Sequence, residues 1–311
     1  MPKDAALAGL TVLERGWLSS NNVLLHGHDG EAAVLVDSGH VAHAALTVAL
    51  VGQALGALGG AALGGVVNTH LHSDHCGGNA ALQRAFGCRI TIPPGLWQAA
   101  LDWDTQALGY APAGHDCERF TPDAKLAPGE HIEIGGRRWQ ALAAPGHDPH
   151  SLILFDAHHG VVISADALWE NGFGVVFPEL DGEAGFEDVA CALDLIGSLD
   201  ARWAIPGHGA PFGDVAGALQ RARRRLDGFV TSPEKHHRHA AKVMIKYRLL
   251  EVQRSSWPEL LGWLGTASLV QGIWQRLGRP CVSLDGFAEQ MVGELAATGA
   301  LRMDAGQIYN A

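Results

Sequence analysis

Short runs of aliphatic and β-branched residues, each closed by Gly, Pro, Asn or Asp, recur along the first two thirds of the chain. They fall at 23–25, 33–36, 65–68, 89–92, 139–143, 152–155, 161–164 and 203–205, and each reads as a short strand. Between several of them, helical patterns run over 41–58, 79–86, 186–198 and 215–229. Strands alternating with helices predict a layered α/β domain. Two consecutive strand-rich halves, each followed by helix, suit two sheets packed face to face with helices outside.

Residues 93–130 break this rhythm. Pro93 and Pro94 open the stretch, a partly helical piece follows over 96–108, and 109–114 reads as irregular because of its Gly and Pro content. Trp97, Leu101, Trp103, Leu108 and Tyr110 either cover a site or pack on their own domain. Past Ser232-Pro233 the pattern turns mostly helical, over 234–254, 257–264, 269–277 and 284–297. A short strand, a Gly turn and a second strand end the chain, an order that resembles a winged helix. The expected division is therefore a first domain over 1–214 and a C-terminal helical, winged-helix-like domain over 215–311.

Composition fits that picture. Of 311 residues, 47% are hydrophobic and 18% charged, which is ample for a buried core. No apolar run approaches the roughly 18 residues a membrane helix needs. The first 20 residues lack the basic start, apolar middle and small-residue cleavage site of a secretory signal, so a cytoplasmic location is expected. The five cysteines, Cys76, Cys88, Cys117, Cys191 and Cys281, are far apart and form no CxxC pair. Neither a disulfide framework nor a zinc ribbon follows from them, and Cys76 reads as a small buried hydrophobe.

Net charge is −11, unevenly spread. Residues 1–214 hold 9 Lys and Arg against 25 Asp and Glu, a balance of −16; residues 215–311 hold 13 against 8, a balance of +5. An acidic first part argues against wrapping nucleic acid over the whole surface. The basic tail, with Arg221, Arg223, Arg224, Arg225, Lys242, Lys246 and Arg248, leaves a narrower contact open.

The chemistry concentrates in Thr69-His70-Leu71-His72-Ser73-Asp74-His75-Cys76, which follows the run at 65–68 and precedes a helix opened by Asn79. H-x-H-x-D-H arises by chance in roughly three sequences per thousand of this composition. His70 and His72 alternate and point one way, leaving Asp74 and His75 to turn toward a second point. One loop can thus supply ligands to two metals. Four side chains do not complete two coordination spheres, and three further candidates each follow a strand: His147 in Pro145-Gly146-His147, Asp166 after 161–164, and His208 in Pro206-Gly207-His208-Gly209.

In these residues, with Asp37 in Val36-Asp37-Ser38-Gly39, the chain resembles the metallo-β-lactamase-fold hydrolase superfamily over roughly residues 10–215. The resemblance implies an αββα sandwich with two metals at one edge. It implies that His70, His72 and His147 hold one ion, that Asp74, His75 and His208 hold the other, and that Asp166 bridges them. Asp37 would support the site from behind. Imidazole and carboxylate ligands suit zinc, and also iron or manganese. Two such ions about 3.5–4 Å apart share a water that loses a proton near neutral pH, and the resulting hydroxide attacks a carbonyl or phosphorus centre. Asp74 would orient that hydroxide while serving as a ligand.

The remaining histidines carry plainer expectations. His26, His28, His40, His43, His115, His131, His158 and His159 are expected at the surface. His236, His237 and His239 are expected on the solvated face of a long helix. His150, Trp97 and Tyr110 are the candidate substrate contacts, Tyr110 because lactonases of this fold use an active-site tyrosine.

Retention of Asp166 and the lack of a signal peptide argue against a true β-lactamase. They favour the thioesterases of glyoxalase II type, the lactonases and the phosphodiesterase branch. The expected activity is hydrolysis of an ester, thioester or lactone of a small acyl substrate. Two alternatives stand beside it: phosphodiester cleavage of single-stranded RNA, for which an aromatic stacking platform is lacking, and a non-enzymatic metal-holding protein on the same fold. No membrane contact is expected, and apolar helix faces in the tail are compatible with a homodimer.

Overall fold

The computed structural model describes residues 3–277 and 282–311; Cys281 lies outside them. Strands β1 (Leu10–Leu13), β2 (Asn22–Leu25), β3 (Ala33–Val36), β4 (Leu63–Val67), β5 (Arg89–Ile92) and β6 (Ala124–Lys125) form one sheet in that order. Pairing is antiparallel from β1 to β3 and parallel from β3 to β6. Strands β7 (His131–Ile134), β8 (Arg137–Ala143), β9 (Leu152–Asp156), β10 (Val161–Ala165) and β11 (Trp203–Pro206) form the second sheet, ordered β11-β10-β9-β8-β7. Only its β10–β11 pair is parallel.

Alternation along the strands explains the layering. Val23 and Leu25 of β2 meet Leu152 and Leu154 of β9 in the core between the sheets, with Trp139 fully buried among them. Leu24 points the other way, into a core shared with α2 (Ala44–Ala57) and α4 (Asn79–Phe86). Ile153 and Phe155 point outward from the second sheet onto α8 (Phe186–Ser198) and α9 (Val215–Thr231). Helix, sheet, sheet, helix is the result. Five short helices complete this part: α1 (Lys3–Ala6), α3 (Ser73–Cys76), α5 (Trp97–Asp102), α6 (Tyr110–Ala113) and, before α8, α7 (Phe177–Asp181).

The stretch 109–114 holds one regular helical turn, contrary to its expected irregularity. Gly109 and Gly114 stand at φ +79° and +66° on either side of α6, so glycine sets both ends. Pro112 sits within the first turn, where its missing N–H costs no helical bond.

The remaining chain builds a second core from α10 (Pro233–Val252), α11 (Trp257–Thr266), α12 (Ser268–Leu277) and α13 (Leu284–Ala297). A small antiparallel sheet, β12 (Arg254–Ser256), β14 (Gln307–Asn310) and β13 (Leu301–Asp304), closes it in that order. The four helices fall where the sequence pattern placed them, and the strand, helices and hairpin follow in that order. Val215, Ala218, Leu219, Ala222 and Leu226 of α9 are buried in the first core. Ala113, Val175 and Leu180 of the first part are buried in the C-terminal core, which docks it against the loops at one edge of the sandwich.

Candidate metal centre

Those loops carry the chemistry. Strands β3 and β4 run parallel, and β8, β10 and β11 run alike, so their C-terminal ends collect at one edge. Asp37 follows β3, the His70–His75 loop follows β4, His147 follows β8, Asp166 follows β10 and His208 follows β11. Asp37 and Ala165, the residue before Asp166, hold φ of +57° and +45°, a costly backbone for residues other than glycine. The β10–β11 register shifts between Ile163 and Ala165, which re-aims Asp166 out of the strand.

Two groups of side chains assemble there: His70 with His72 and His147, and Asp74 with His75, Asp166 and His208. Within each group the potential ligand atoms lie within 4.8 Å of one another. Asp166 stands between the groups, with Oδ2 3.5 Å from His147 Nε2 and 3.8 Å from His208 Nε2, and Oδ1 3.5 Å from His75 Nε2.

Hydrogen bonds behind the rings decide which nitrogens face inward. His75 Nδ1 donates to Asp37 Oδ2 at 2.8 Å, since the carboxylate only accepts. His147 Nδ1 donates to the carbonyl of Val175 at 2.6 Å. Thr69 gives its hydroxyl proton to Asp37, so its oxygen accepts from His70 Nδ1 at 3.1 Å. The Nε2 atoms of these three histidines therefore carry bare lone pairs into the cluster. Those of His70 and His75 have no hydrogen-bond partner although they are buried. His147 Nε2 lies 2.8 Å from His72 Nδ1, a spacing that needs a proton or a cation to join two ring nitrogens.

Electrostatics point the same way. Burial, with the neighbouring rings, pushes His70 well below its ordinary value, and pushes His72 and His147 down to about 4. Neutral imidazole is the ligating form. Burial works against ionisation of Asp74 and Asp166, yet the facing histidines, His75 first, hold both below the usual carboxylate range. Burial opposes a charge on His75 too, but Asp166, Asp37 and Asp74 outweigh it and raise it well above its ordinary value. Two carboxylates, Asp74 and Asp166, face Nε2 of His75 while Asp37 holds Nδ1, an arrangement that favours positive charge at this ring. These residues fit a pair of divalent ions.

Two glycines are fixed by the approach of these groups. A Cβ on Gly207 would fall 2.1 Å from Asp166 Oδ1, and one on Gly174 2.3 Å from His147 Nδ1. The sequence shows both glycines, but the contacts they permit lie across the fold and are invisible in it.

A cavity of about 950 Å³ opens from the cluster and runs to the C-terminal helices. Leu96 and Leu108 line one side and Val243, Leu250 and Leu269 the other, while Phe177 lies edge-on to His72 and His147, with centroids 4.7 and 5.4 Å away. His150 is exposed at the cavity rim. Tyr110 borders the cavity, but it is buried and its hydroxyl is spent on the carbonyl of Leu71 at 2.9 Å. Trp97 is not brought to the cavity, because α5 turns its ring onto the outer core, under Lys125 Nζ at 4.8 Å.

Several residues at the site carried no signal in the sequence. Tyr247 of α10 reaches Ser73 Oγ at 2.9 Å, and His115 lies against its ring with centroids 4.3 Å apart. Trp17 stacks on His208 at 5.4 Å, and Trp169 Nε1 donates to Asp166 Oδ1 at 3.1 Å. His40 and His236 are fully buried and His115 is half-buried, which corrects their expected surface placement. His40 packs edge-on to Tyr247 and His236 lies between Phe186 and Phe229, so aromatic neighbours distant in sequence account for all three.

Residues 15–208 match the family model of the Metallo-beta-lactamase superfamily. The chain belongs to that superfamily. Members of it that resemble the chain include a protein of Methylococcus capsulatus named hydroxyacylglutathione hydrolase, 30% identical over 175 residues, 56% of this chain and 59% of the relative. A protein of the same name from Anaeromyxobacter dehalogenans is 32% identical over 109 residues, 35% of this chain and 34% of the relative. The matches thus span about a third to three fifths of these relatives. Among solved structures, a metallo-beta-lactamase family protein from Thermus thermophilus aligns over 98% of this chain and 99% of its own, with a TM-score of 0.54 and 21% identity. The FEZ-1 metallo-beta-lactamase from Legionella gormanii aligns over 74% and 95%, with a TM-score of 0.56 and 18% identity. Both likenesses concern the fold.

Proposed function

We propose that the protein is a metal-dependent hydrolase that cleaves a thioester or ester of a small, largely apolar acyl group at a dinuclear centre. The observation that carries this reading is the set of inward-facing Nε2 lone pairs of His70, His75 and His147, held by Nδ1 bonds and opening into an apolar cavity. His70, His72 and His147 would hold one ion, Asp74, His75 and His208 the other, with Asp166 shared; zinc suits this donor set and iron or manganese remain alternatives. Divalent ions bound there would acidify a water and polarise an acyl oxygen.

The chain's own residues supply the rest. Asp74 borders the cavity with Oδ2 3.1 Å from His208 Nε2, and it orients the attacking water toward the acyl carbon. Phe177, Leu108 and Val243 take the acyl group and exclude bulk water around it. Relatives named hydroxyacylglutathione hydrolase support thioester chemistry.

The phosphodiester alternative loses its main support in the pairing of the basic tail. Arg221 and Arg223 meet Asp214 and Asp194, Arg238 and Lys242 meet Glu294, and Arg248 meets Glu251. Lys246 is taken by the carbonyl of Ala300 and the side chain of Asn310. Among the described residues no helix is long and apolar enough to cross a membrane.

Metal analysis paired with a turnover panel tests the proposal: a thioester, a lactone, a β-lactam and a phosphodiester. Two ions per chain with selective thioester or lactone cleavage is the expected result. Cleavage of the phosphodiester alone would refute the acyl assignment, and failure to bind metal under any loading condition would refute the centre itself.

A further inference from the structure

One pair of free cysteines takes no part in this chemistry. Cys76 follows directly on His75 and ends α3, while Cys117 lies in the connection 114–123, which holds neither helix nor strand. Their sulfurs lie 3.9 Å apart. Cys76 is fully buried in the outer core of the first sheet, beneath the Tyr110 hydroxyl at 3.1 Å; Cys117 is partly exposed. Hydrophobic packing accounts for the first sulfur. Cys117, 41 residues away, packs against the same core from a connection that solvent reaches, and its sulfur is set against the first.

We propose that Cys76 and Cys117 are an oxidation site, closing to a reversible disulfide beside the metal loop. A disulfide needs about 2.05 Å between sulfurs, so an approach of about 1.9 Å is required. The 114–123 connection supplies it, since Cys76 is held by the turn around it: its thiol lies 3.3 Å from the carbonyl of His72.

The oxidant is hydrogen peroxide, which reaches the exposed sulfur first. The Cys117 sulfur attacks the peroxide, the O–O bond breaks, and a sulfenic acid forms as one water leaves. The Cys76 sulfur then attacks the sulfenic sulfur, the S–O bond breaks, and the hydroxyl leaves as a second water with the Cys76 proton. Two thiols lose two electrons, and one peroxide becomes two waters.

The bond would act on the site through its neighbours. Asp74 and His75 share α3 with Cys76. His115, two residues before Cys117, is 3.2 Å from Ser73 Oγ and stacks on Tyr247. Closure therefore pulls on the cavity wall and on the metal loop together.

The test uses the full chain in its metal-loaded form. It is treated with dilute hydrogen peroxide, alkylated under denaturing conditions and analysed by mass. The expected result is a loss of about 2 Da, a fall of two titratable thiols, and a linked peptide pair containing Cys76 and Cys117, all reversed by dithiothreitol. Cys117→Ser abolishes the linked pair, whereas Cys191→Ser leaves it intact. Cys117 is partly exposed at the edge of the core, and circular dichroism of the variant checks that the fold is kept. An unchanged thiol count, or a gain of about 32 Da on Cys117 without a linked peptide, would overturn the proposal.

Discussion

The Tyr247 hydroxyl, carried by a helix of the C-terminal core, lies 2.9 Å from Oγ of Ser73, which stands between His72 and Asp74 in the metal loop. Both side chains are buried, so the contact ties the second core to the centre of the first. Tyr247→Phe removes one buried hydrogen bond and keeps the ring. It should cost about 1 kcal/mol, seen as a melting temperature lower by about 2 °C, with metal content unchanged. Loss of bound metal in this variant would show that the hydroxyl does more than anchor the loop.

Asp37 accepts from Thr69 N, Thr69 Oγ1 and His75 Nδ1, each at 2.8 Å. Asp37→Asn replaces an acceptor by an amide that can donate, which favours the other tautomer of His75 and points a proton into the cluster. Metal affinity should fall about 10–100-fold, measured by competition with a chelator. An unchanged affinity would mean that His75 does not depend on this hydrogen bond.

Gly207→Ala places a methyl 2.1 Å from Asp166 Oδ1. The carboxylate must rotate away from His75 and His147, and both metal content and turnover should drop. Circular dichroism should remain that of the parent protein, because the severe clash is with a side chain and the nearest strand backbone, at Ala165, lies 3.2 Å away. Full metal content would exclude Asp166 as the shared ligand.

Stability should depend on pH through two histidines that belong to neither group of candidate ligands. Burial, with His237 and Arg225, pushes His236 down to about 3; burial, Arg225, His236 and Lys242 do the same to His239. In the unfolded chain both take up protons near pH 6.5. Their contribution is therefore complete above about pH 6.5 and is lost as pH falls from there toward 3, at up to about 1.4 kcal/mol per pH unit for each proton. Melting curves between pH 8 and 5 should show this slope, and His236→Gln should flatten it. An equal slope in that variant would assign the acid sensitivity elsewhere.

The sandwich was legible in the sequence because its strands are short, apolar and closed by turn residues, and the loop from His70 to His75 because four side chains able to bind metal fall within six positions. His147, Asp166 and His208 could be found because each follows a strand. Tyr247 could not: it lies on a basic helix in another core, and only tertiary docking brings it to Ser73. Trp97 looked like a cavity residue by composition, but α5 turns it onto the core beneath Lys125. His236 sits among charged residues in sequence, and its burial depends on Phe186 and Phe229 from two other helices.

Each cluster of ligands draws on both sheets: His70 and His72 from the first with His147 from the second, Asp74 and His75 from the first with Asp166 and His208 from the second. An ion in either position is thus a cross-link between two halves of the polypeptide that are otherwise joined at this edge by few bonds, such as that from Leu152 N to Thr69 O. Neither half can present a finished binding site before the two have met. On the proposed reading, metal capture would follow the docking of the two halves, and removal of the ions would loosen the seam between the sheets first.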